Sequence, residues 1–164
     1  MCMKKRVFLI VISATITLLL AYDGLNAGTE VKDKIKMDNP AYEEHKKGIN
    51  IFTHKKHATE YQENNPDLFK NGCGECHHDD ENEPLKDLKE GDEVQNCIEC
   101  HQEPAYMRGK EARGMSKDQK LEYHANAIHY NCKGCHKLYN KKMNLKSRDE
   151  SAAPRTCKQC HPKQ

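Results

Sequence analysis

The feature that most constrains this chain is a four-fold repeat of the pattern Cys-x-x-Cys-His. The four cysteine pairs are Cys73/Cys76, Cys97/Cys100, Cys132/Cys135 and Cys157/Cys160, and the histidines that follow them are His77, His101, His136 and His161. Cysteine pairs alone also suit structural zinc, redox dithiols or disulfides. None of those chemistries requires a histidine directly after the second cysteine. The repeat is instead the attachment pattern of c-type haem.

The spacing within each repeat follows from the chemistry of attachment. Two thiols one turn apart add to the two vinyl groups on one edge of the porphyrin, and the next residue offers its imidazole to the iron as the proximal ligand. The sequence therefore predicts four haem c groups.

The second axial ligand of each iron must come from elsewhere in the chain. Six histidines lie outside the repeats, namely His45, His54, His57, His78, His124 and His129. Methionine is the alternative ligand, but the four methionines beyond residue 27 are spread without relation to the repeats. We therefore expect two histidines on every iron.

The composition indicates how such a chain folds. Charged residues make up 32% of the 164 residues, there is no Trp, and the mean hydropathy is -1.00. A chain this polar cannot bury enough apolar surface to offset its conformational entropy unaided. We expect a mostly irregular fold with a few short α-helices and minimal β-structure, a small multihaem protein wrapped around four c-type haems.

The first residues predict export. Lys4, Lys5 and Arg6 precede an apolar run of 15 residues from Val7 to Ala21, and small residues follow at Ala27 and Gly28. This is the layout of a secretory signal peptide, since a bilayer-spanning helix needs about 20 apolar residues. We predict a signal peptide over 1–27, a polar arm over 28–48 and a haem-binding domain over 49–164. The expected location is the periplasm, without membrane insertion after cleavage; an extracellular protein and an uncleaved membrane anchor are the alternatives.

The order of the elements resembles a known family. Phe52-Thr53-His54-Lys55-Lys56-His57 precedes the first repeat, which continues as His77-His78. An F-x-H-x-x-H element, a C-x-x-C-H-H motif and three further haem motifs resemble the class III, tetrahaem cytochromes c. The resemblance covers roughly residues 49–161.

The resemblance implies an assignment of the distal ligands. It places His54 opposite His77, His57 on the iron of His136, and His78 on that of His101. The fourth distal ligand, for the iron of His161, lies shortly before the third repeat, where both His124 and His129 occur. Ser116 and Gln119 begin this segment as a capping box, and we read residues 116–129 as a helix. Its periodicity does not choose between the two histidines; His129 is favoured because ligands in related multihaem chains recur three or four residues before a motif.

Two departures from the family pattern bear on partners. Typical members often have four residues between the cysteines of the second and fourth motifs, whereas all four motifs here have two. The acidic stretch from Asp79 to Asn96 is also longer.

The predicted function is electron transfer and not catalysis, because an iron with two histidine ligands has no open position for a substrate. The resemblance implies redox partners such as hydrogenase, formate dehydrogenase or membrane cytochrome complexes. Residues 132–164 carry nine basic and two acidic residues, against a formal charge of −7 over residues 28–131, so this basic region is the expected docking surface. Nucleic acid is not an expected partner. The alternatives are a multihaem reductase of nitrite, another oxyanion or a metal ion, and a subunit of an extracellular haem assembly.

Overall fold

A computed structural model describes residues 31–163 of the chain. The predicted signal peptide lies outside these residues. Within them, Val31–Lys89 and the residues from Val94 onward form one compact unit, to which Glu90–Glu93 do not belong. In the described part of the chain, no helix is long and apolar enough to cross a membrane.

Regular structure is sparse, which confirms the predicted fold class. The described residues form a two-stranded sheet, a single long helix and several helical turns. The strands are β1 (Ile35–Lys36) and β2 (Ile51–Phe52); the helical segments are His54–Lys56, His57–Tyr61, Gln62–Asn64, Gly72–Glu75, Cys97–Cys100, Lys117–Leu121, His124–Lys142 and Cys157–Cys160.

The small sheet ties the polar arm to the segment that carries the first histidines. Strands β1 and β2 pair in antiparallel fashion, with Ile35 opposite Phe52. The amide of Met37 extends the pairing by donating to the carbonyl of Asn50 at 2.9 Å. Strand β2 ends two residues before His54, so the sheet holds the start of the following helical segment in place.

That helical segment is continuous but changes its winding. His54–Lys56 and Gln62–Asn64 are α-helical, whereas His57–Tyr61 between them is a π-helix. Single π-turns inside helices occur mostly at functional sites. The helix stops at Asn64 because Asn65 precedes a proline and leaves the helical region, with φ −138° and ψ 57°.

The predicted helix over residues 116–129 is interrupted. Its start is as expected, since Ser116 accepts a hydrogen bond from the amide of Gln119 and forms a capping box with it. The first helix ends at Leu121, however, and Tyr123 is extended. The interruption is caused by backbone pairing with a distant segment. The amide of His124 donates to the carbonyl of Glu103 at 2.9 Å, and the amide of Glu103 donates to the carbonyl of Glu122. A second helix, the long helix (His124–Lys142), then runs through the whole third repeat.

The described residues contain no buried hydrophobic side chain. Only His124, at 7% exposure, and Asn140, at 4%, have buried polar side chains. A folded unit of this length normally hides several large apolar side chains. The polypeptide therefore encloses something other than its own apolar residues.

Candidate functional site

Eight histidines face one another in four pairs. The ring centres are 6.2 Å apart for His54 and His77, 6.2 Å for His57 and His136, 6.0 Å for His78 and His101, and 6.0 Å for His129 and His161. Each pair joins one histidine of a Cys-x-x-Cys-His repeat to one histidine outside the repeats. The similar distance in all four pairs indicates that they have the same function.

The distance suits two imidazoles on one metal ion. An imidazole nitrogen binds a transition metal at about 2 Å, and the ring centre lies about 1 Å beyond it, so opposed ligands have centres about 6 Å apart. Within residues 31–163, no group of three or more His, Cys, Asp or Glu side chains lies close enough to hold an ion by itself. A porphyrin supplies four further nitrogens, so two histidines on opposite sides complete the coordination of its iron. The pairs fit haem.

The second nitrogen of most of these rings is engaged with the backbone. For six of the eight, Nδ1 lies 2.5–2.8 Å from a carbonyl oxygen: His57 with Thr53, His78 with Asp79, His101 with Leu121, His129 with Ala125, His136 with Pro154 and His161 with Gly48. A carbonyl only accepts, so Nδ1 carries the hydrogen and the neutral ring presents its Nε2 lone pair. Such partners of the second nitrogen are what fix metal-binding imidazoles in place.

The pair of His54 and His77 differs from the others. Nδ1 of His54 is buried and makes no hydrogen bond of good geometry to any described residue. Burial lowers the pKa of His54, and the nearby backbone of Lys32 opposes that effect. The orientation of the His54 ring therefore depends mainly on packing between Phe52, whose ring centre is 5.7 Å away, and His77.

Electrostatics favour the neutral form that a metal requires. Burial lowers the pKa of His77, His129 and His136. In each case the opposing histidine of the pair lowers the pKa further, because two positive imidazoliums so close together repel.

The two candidates for the fourth distal ligand occupy different places. His129 faces His161, whereas the ring of His124 lies against Tyr42, with centres 5.7 Å apart. The Tyr42 hydroxyl is 2.9 Å from Nδ1 of His124. The geometry places His129, and not His124, opposite the histidine of the fourth repeat. His45, which the sequence left without a role, bonds Asp38 through Nε2 at 3.0 Å.

Each cysteine pair lies on one helical turn. Cys97–Cys100 and Cys157–Cys160 are single turns that begin with capping boxes, formed by Asn96 with Glu99 and by Thr156 with Gln159. Cys73 lies in a 3-10 turn, with Cys76 at its end, and the third pair lies in the long helix. In the first, second and fourth repeats, the histidine amide donates to the carbonyl of the first cysteine at 2.8–3.0 Å. The turn thus fixes the ligand relative to the thiols.

The thiols themselves are unsuited to redox chemistry. All eight cysteines in the described region are free of disulfides. Although Cys76 and Cys132 keep solvent-exposed surface, the protein around them raises the pKa of Cys76 to about 12 and that of Cys132 to about 11, chiefly by desolvation. Reactive dithiols have lowered pKa values instead. Neighbouring repeats contribute to the shift, since Cys132 raises the pKa of Cys76 and Cys160 raises that of Cys132.

Short segments serve different pairs. His54 and His57 belong to two pairs, and the adjacent His77 and His78 also belong to two. His129 and His136 lie seven residues apart on the long helix, which is about two turns and places them on one face. If each pair holds a haem, the haems are packed against one another as a common core.

Several residues at the site carry no signal in the sequence. The carbonyl acceptors Leu121, Pro154 and Gly48 act through backbone atoms that every residue has. Tyr106, whose ring centre lies 4.5 Å from that of His129, is 23 positions away from it in sequence. Only the fold brings these groups to the histidines.

A family model described as the class III cytochrome C family matches residues 29–163. No curated protein and no solved structure matches the chain.

Proposed function

Because this chain belongs to the class III cytochrome c family, we propose that it is a periplasmic carrier with four low-potential haems, each held by two histidines. Membership itself establishes a multihaem electron-transfer protein with covalently bound haem c. The number of haems, their ligands, the location and the partners are the proposal.

The observation that carries the proposal is the set of four histidine pairs. Each of the four repeats has its own opposing histidine, with ring centres 6.0–6.2 Å apart. When bound, haem c supplies an iron that gains and loses one electron. Each pair of histidines would hold such an iron from both sides and would leave no place for a substrate, which favours a carrier over a reductase.

The chain's own residues keep the ligands in one orientation. The turn of each repeat holds the proximal histidine, and carbonyl oxygens hold Nδ1 of six rings. A ligand fixed in this way moves little between oxidation states. Because adjacent ligands such as His77 and His78 belong to different pairs, haems held there would lie close enough to exchange electrons without any movement of the chain.

The same hydrogen bonds support a low potential. Donation from Nδ1 to a carbonyl makes the imidazole a more basic ligand. A more basic ligand stabilises the oxidised iron relative to the reduced iron, and two imidazoles lack the preference of methionine for the reduced state.

The distribution of charge supports docking through the basic region 132–164. Seven of its nine basic side chains are exposed: Lys137, Lys141, Lys142, Lys146, Arg148, Lys158 and Lys163. Lys142 makes an ion pair with Asp67, and such exposed pairs contribute little to stability. An acidic surface on a hydrogenase, a formate dehydrogenase or a membrane cytochrome complex would orient this face towards it.

Mass spectrometry and EPR spectroscopy of the exported holoprotein test the proposal. We expect the mass of the processed chain plus four haems, and only low-spin ferric signals. A smaller number of haems contradicts the four-haem assignment. A high-spin signal in the native protein would favour the reductase instead, and recovery of the protein in the cytoplasm would contradict the periplasmic location.

A further inference from the structure

Two asparagines of the long helix each make a pair of hydrogen bonds to a loop. The Asn140 amide donates to the carbonyl of Ala153 at 2.9 Å and accepts from its amide at 2.8 Å. The side-chain amide of Asn126 likewise donates to the carbonyl of Met107 at 3.0 Å and accepts from the backbone amide of Met107 at 2.8 Å. We call these two contacts the asparagine clamps.

The clamps are unusual in such an open structure. Asn140 is only 4% exposed and has the lowest exposure among the buried side chains of the described residues. Buried amides are retained where their hydrogen bonds are fully made. Asn126 and Asn140 lie fourteen residues apart, about four helical turns, so the two clamps project from nearly the same side of the helix.

Next to each clamped residue is a group that touches a histidine pair. Pro154 follows Ala153, and its carbonyl accepts the hydrogen of His136 Nδ1 at 2.7 Å. Tyr106 precedes Met107, and its ring lies over that of His129 with centres 4.5 Å apart and planes tilted by 37°. The first contact bears on the pair of His57 and His136, and the second on the pair of His129 and His161.

We propose that Asn140 and Asn126 are positioning residues that separately tune these two haems. The proposal rests on the proposed function, because it assumes a haem at each pair. Asn140 holds the acceptor that makes His136 a more basic ligand. Asn126 holds the aromatic ring that lies over His129. The side chains of both asparagines hydrogen-bond loop backbone and not the histidine rings.

The two clamps have opposite expected effects. Loss of the Asn140 clamp weakens the hydrogen bond from His136, lowers the basicity of that ligand and raises the potential of its haem. Loss of the Asn126 clamp frees Tyr106 and admits water, which stabilises the charged, oxidised state and lowers the potential of the other haem. The clamps thereby widen the range of potentials within one molecule.

The experiment compares Asn140→Ala and Asn126→Ala holoproteins with wild type, following each haem by NMR during a redox titration. We expect an upward shift confined to the haem of His57 and His136 in the first variant. In the second, we expect a downward shift confined to the haem of His129 and His161. Asn131→Ala is the matched control: Asn131 is on the same helix but makes one long hydrogen bond, to the Cys76 carbonyl at 3.3 Å. The potentials of these two haems should be unchanged in this control variant.

Several results would overturn the proposal. A uniform shift in the potentials of all four haems would show a general loosening of the structure. Unchanged potentials, or a shift at the same haem in both variants, would show that the two clamps do not tune separate haems. If Asn140→Ala does not mature, Asn140→Leu has a similar size, removes both hydrogen bonds without adding a charge, and should give a shift of the same sign. The wild type is a separate test, since fewer than four low-spin haems there would contradict the proposed function itself.

Discussion

The hydroxyl of Tyr42 lies 2.9 Å from Nδ1 of His124, a residue 82 positions further along the chain. The contact joins the polar arm to the first turn of the long helix and occupies His124, the alternative to His129 as the fourth distal ligand. His129, one turn and a half further along, faces His161. The partly buried contact with Tyr42 thus distinguishes His124 from the proposed ligand.

The ligand assignment predicts different outcomes for the two histidines. Replacing His129 by Ala should leave one haem with a single axial ligand, because no other histidine faces His161. A high-spin signal from one of the four haems is therefore expected in the EPR spectrum. The matched His124→Ala protein should show low-spin haems only. A high-spin haem in His124→Ala and none in His129→Ala would reverse the assignment.

His124 should also make stability depend on pH. Burial lowers the pKa of His124 in the folded protein, and the charge of His101 lowers it further. In the unfolded chain this histidine has the usual pKa of about 6.5. Above that pH neither state is protonated, so His124 has no effect. Below it the unfolded chain binds a proton that the folded protein does not, and stability falls as the pH falls.

The measurement is the free energy of unfolding of the holoprotein at pH 7 and pH 5. The loss on acidification should be smaller in His124→Gln than in wild type, since Gln keeps a hydrogen-bonding group for Tyr42 but does not titrate. Carboxylates elsewhere contribute equally to both proteins. Equal losses in the two proteins would mean that His124 titrates alike in the folded and unfolded states.

Gly48 is predicted to tolerate no side chain. Its carbonyl accepts from His161 Nδ1 at 2.8 Å, and a Cβ there would lie 2.2 Å from the Pro162 carbonyl oxygen. Gly48→Ala must therefore separate the two segments and weaken the hydrogen bond. We expect a raised potential for the haem of His129 and His161, with a stability loss of about 1–3 kcal/mol from the displaced packing.

Gly134→Ala is the control for that prediction. A Cβ on Gly134 would meet nothing within 4 Å, and Ala is favoured over Gly inside a helix by about 1 kcal/mol. This variant should keep the wild-type potentials and be at least as stable. Wild-type potentials in Gly48→Ala as well would show that the carbonyl of Gly48 has no influence on His161.

The absence of a polypeptide core among the described residues predicts that haem attachment and folding are one event. The long helix has one face lined by His129 and His136 and no apolar layer to bury. The full chain prepared without haem should therefore show little helix by circular dichroism and no cooperative thermal transition, unlike the holoprotein. A cooperative transition in the haem-free chain would show that the polypeptide folds by itself.

The haem repeats were readable from sequence because attachment chemistry dictates both residue type and spacing. The interruption at Tyr123 was not predicted, since it depends on backbone pairing with Glu103. Glu103 lies twenty residues earlier and has no sequence signature for such pairing. Helical period likewise did not choose between His124 and His129, and the preference for His129 came from the position of ligands in related chains. In the fold, His124 contacts Tyr42 whereas His129 faces His161.

His78 should be the most easily displaced ligand. It alone among the eight paired histidines is exposed. Its Nδ1 bonds the carbonyl of the next residue, Asp79, so no separate element anchors the ring. Asp79 in turn caps a local turn by accepting from the amides of Glu81 and Glu83. The whole support of this ligand is one exposed acidic loop.

Titration of the oxidised holoprotein with free imidazole tests this prediction. The haem of His78 and His101 should exchange its ligand at a lower imidazole concentration than the other three, followed through its NMR and visible spectra. His57 provides the comparison, because it lies within a helix and bonds the Thr53 carbonyl one turn earlier. His78→Ala should produce one high-spin haem that added imidazole returns to low spin. First exchange at the haem of His57 and His136 would mean that exposure and loop support do not determine which axial bond is weakest.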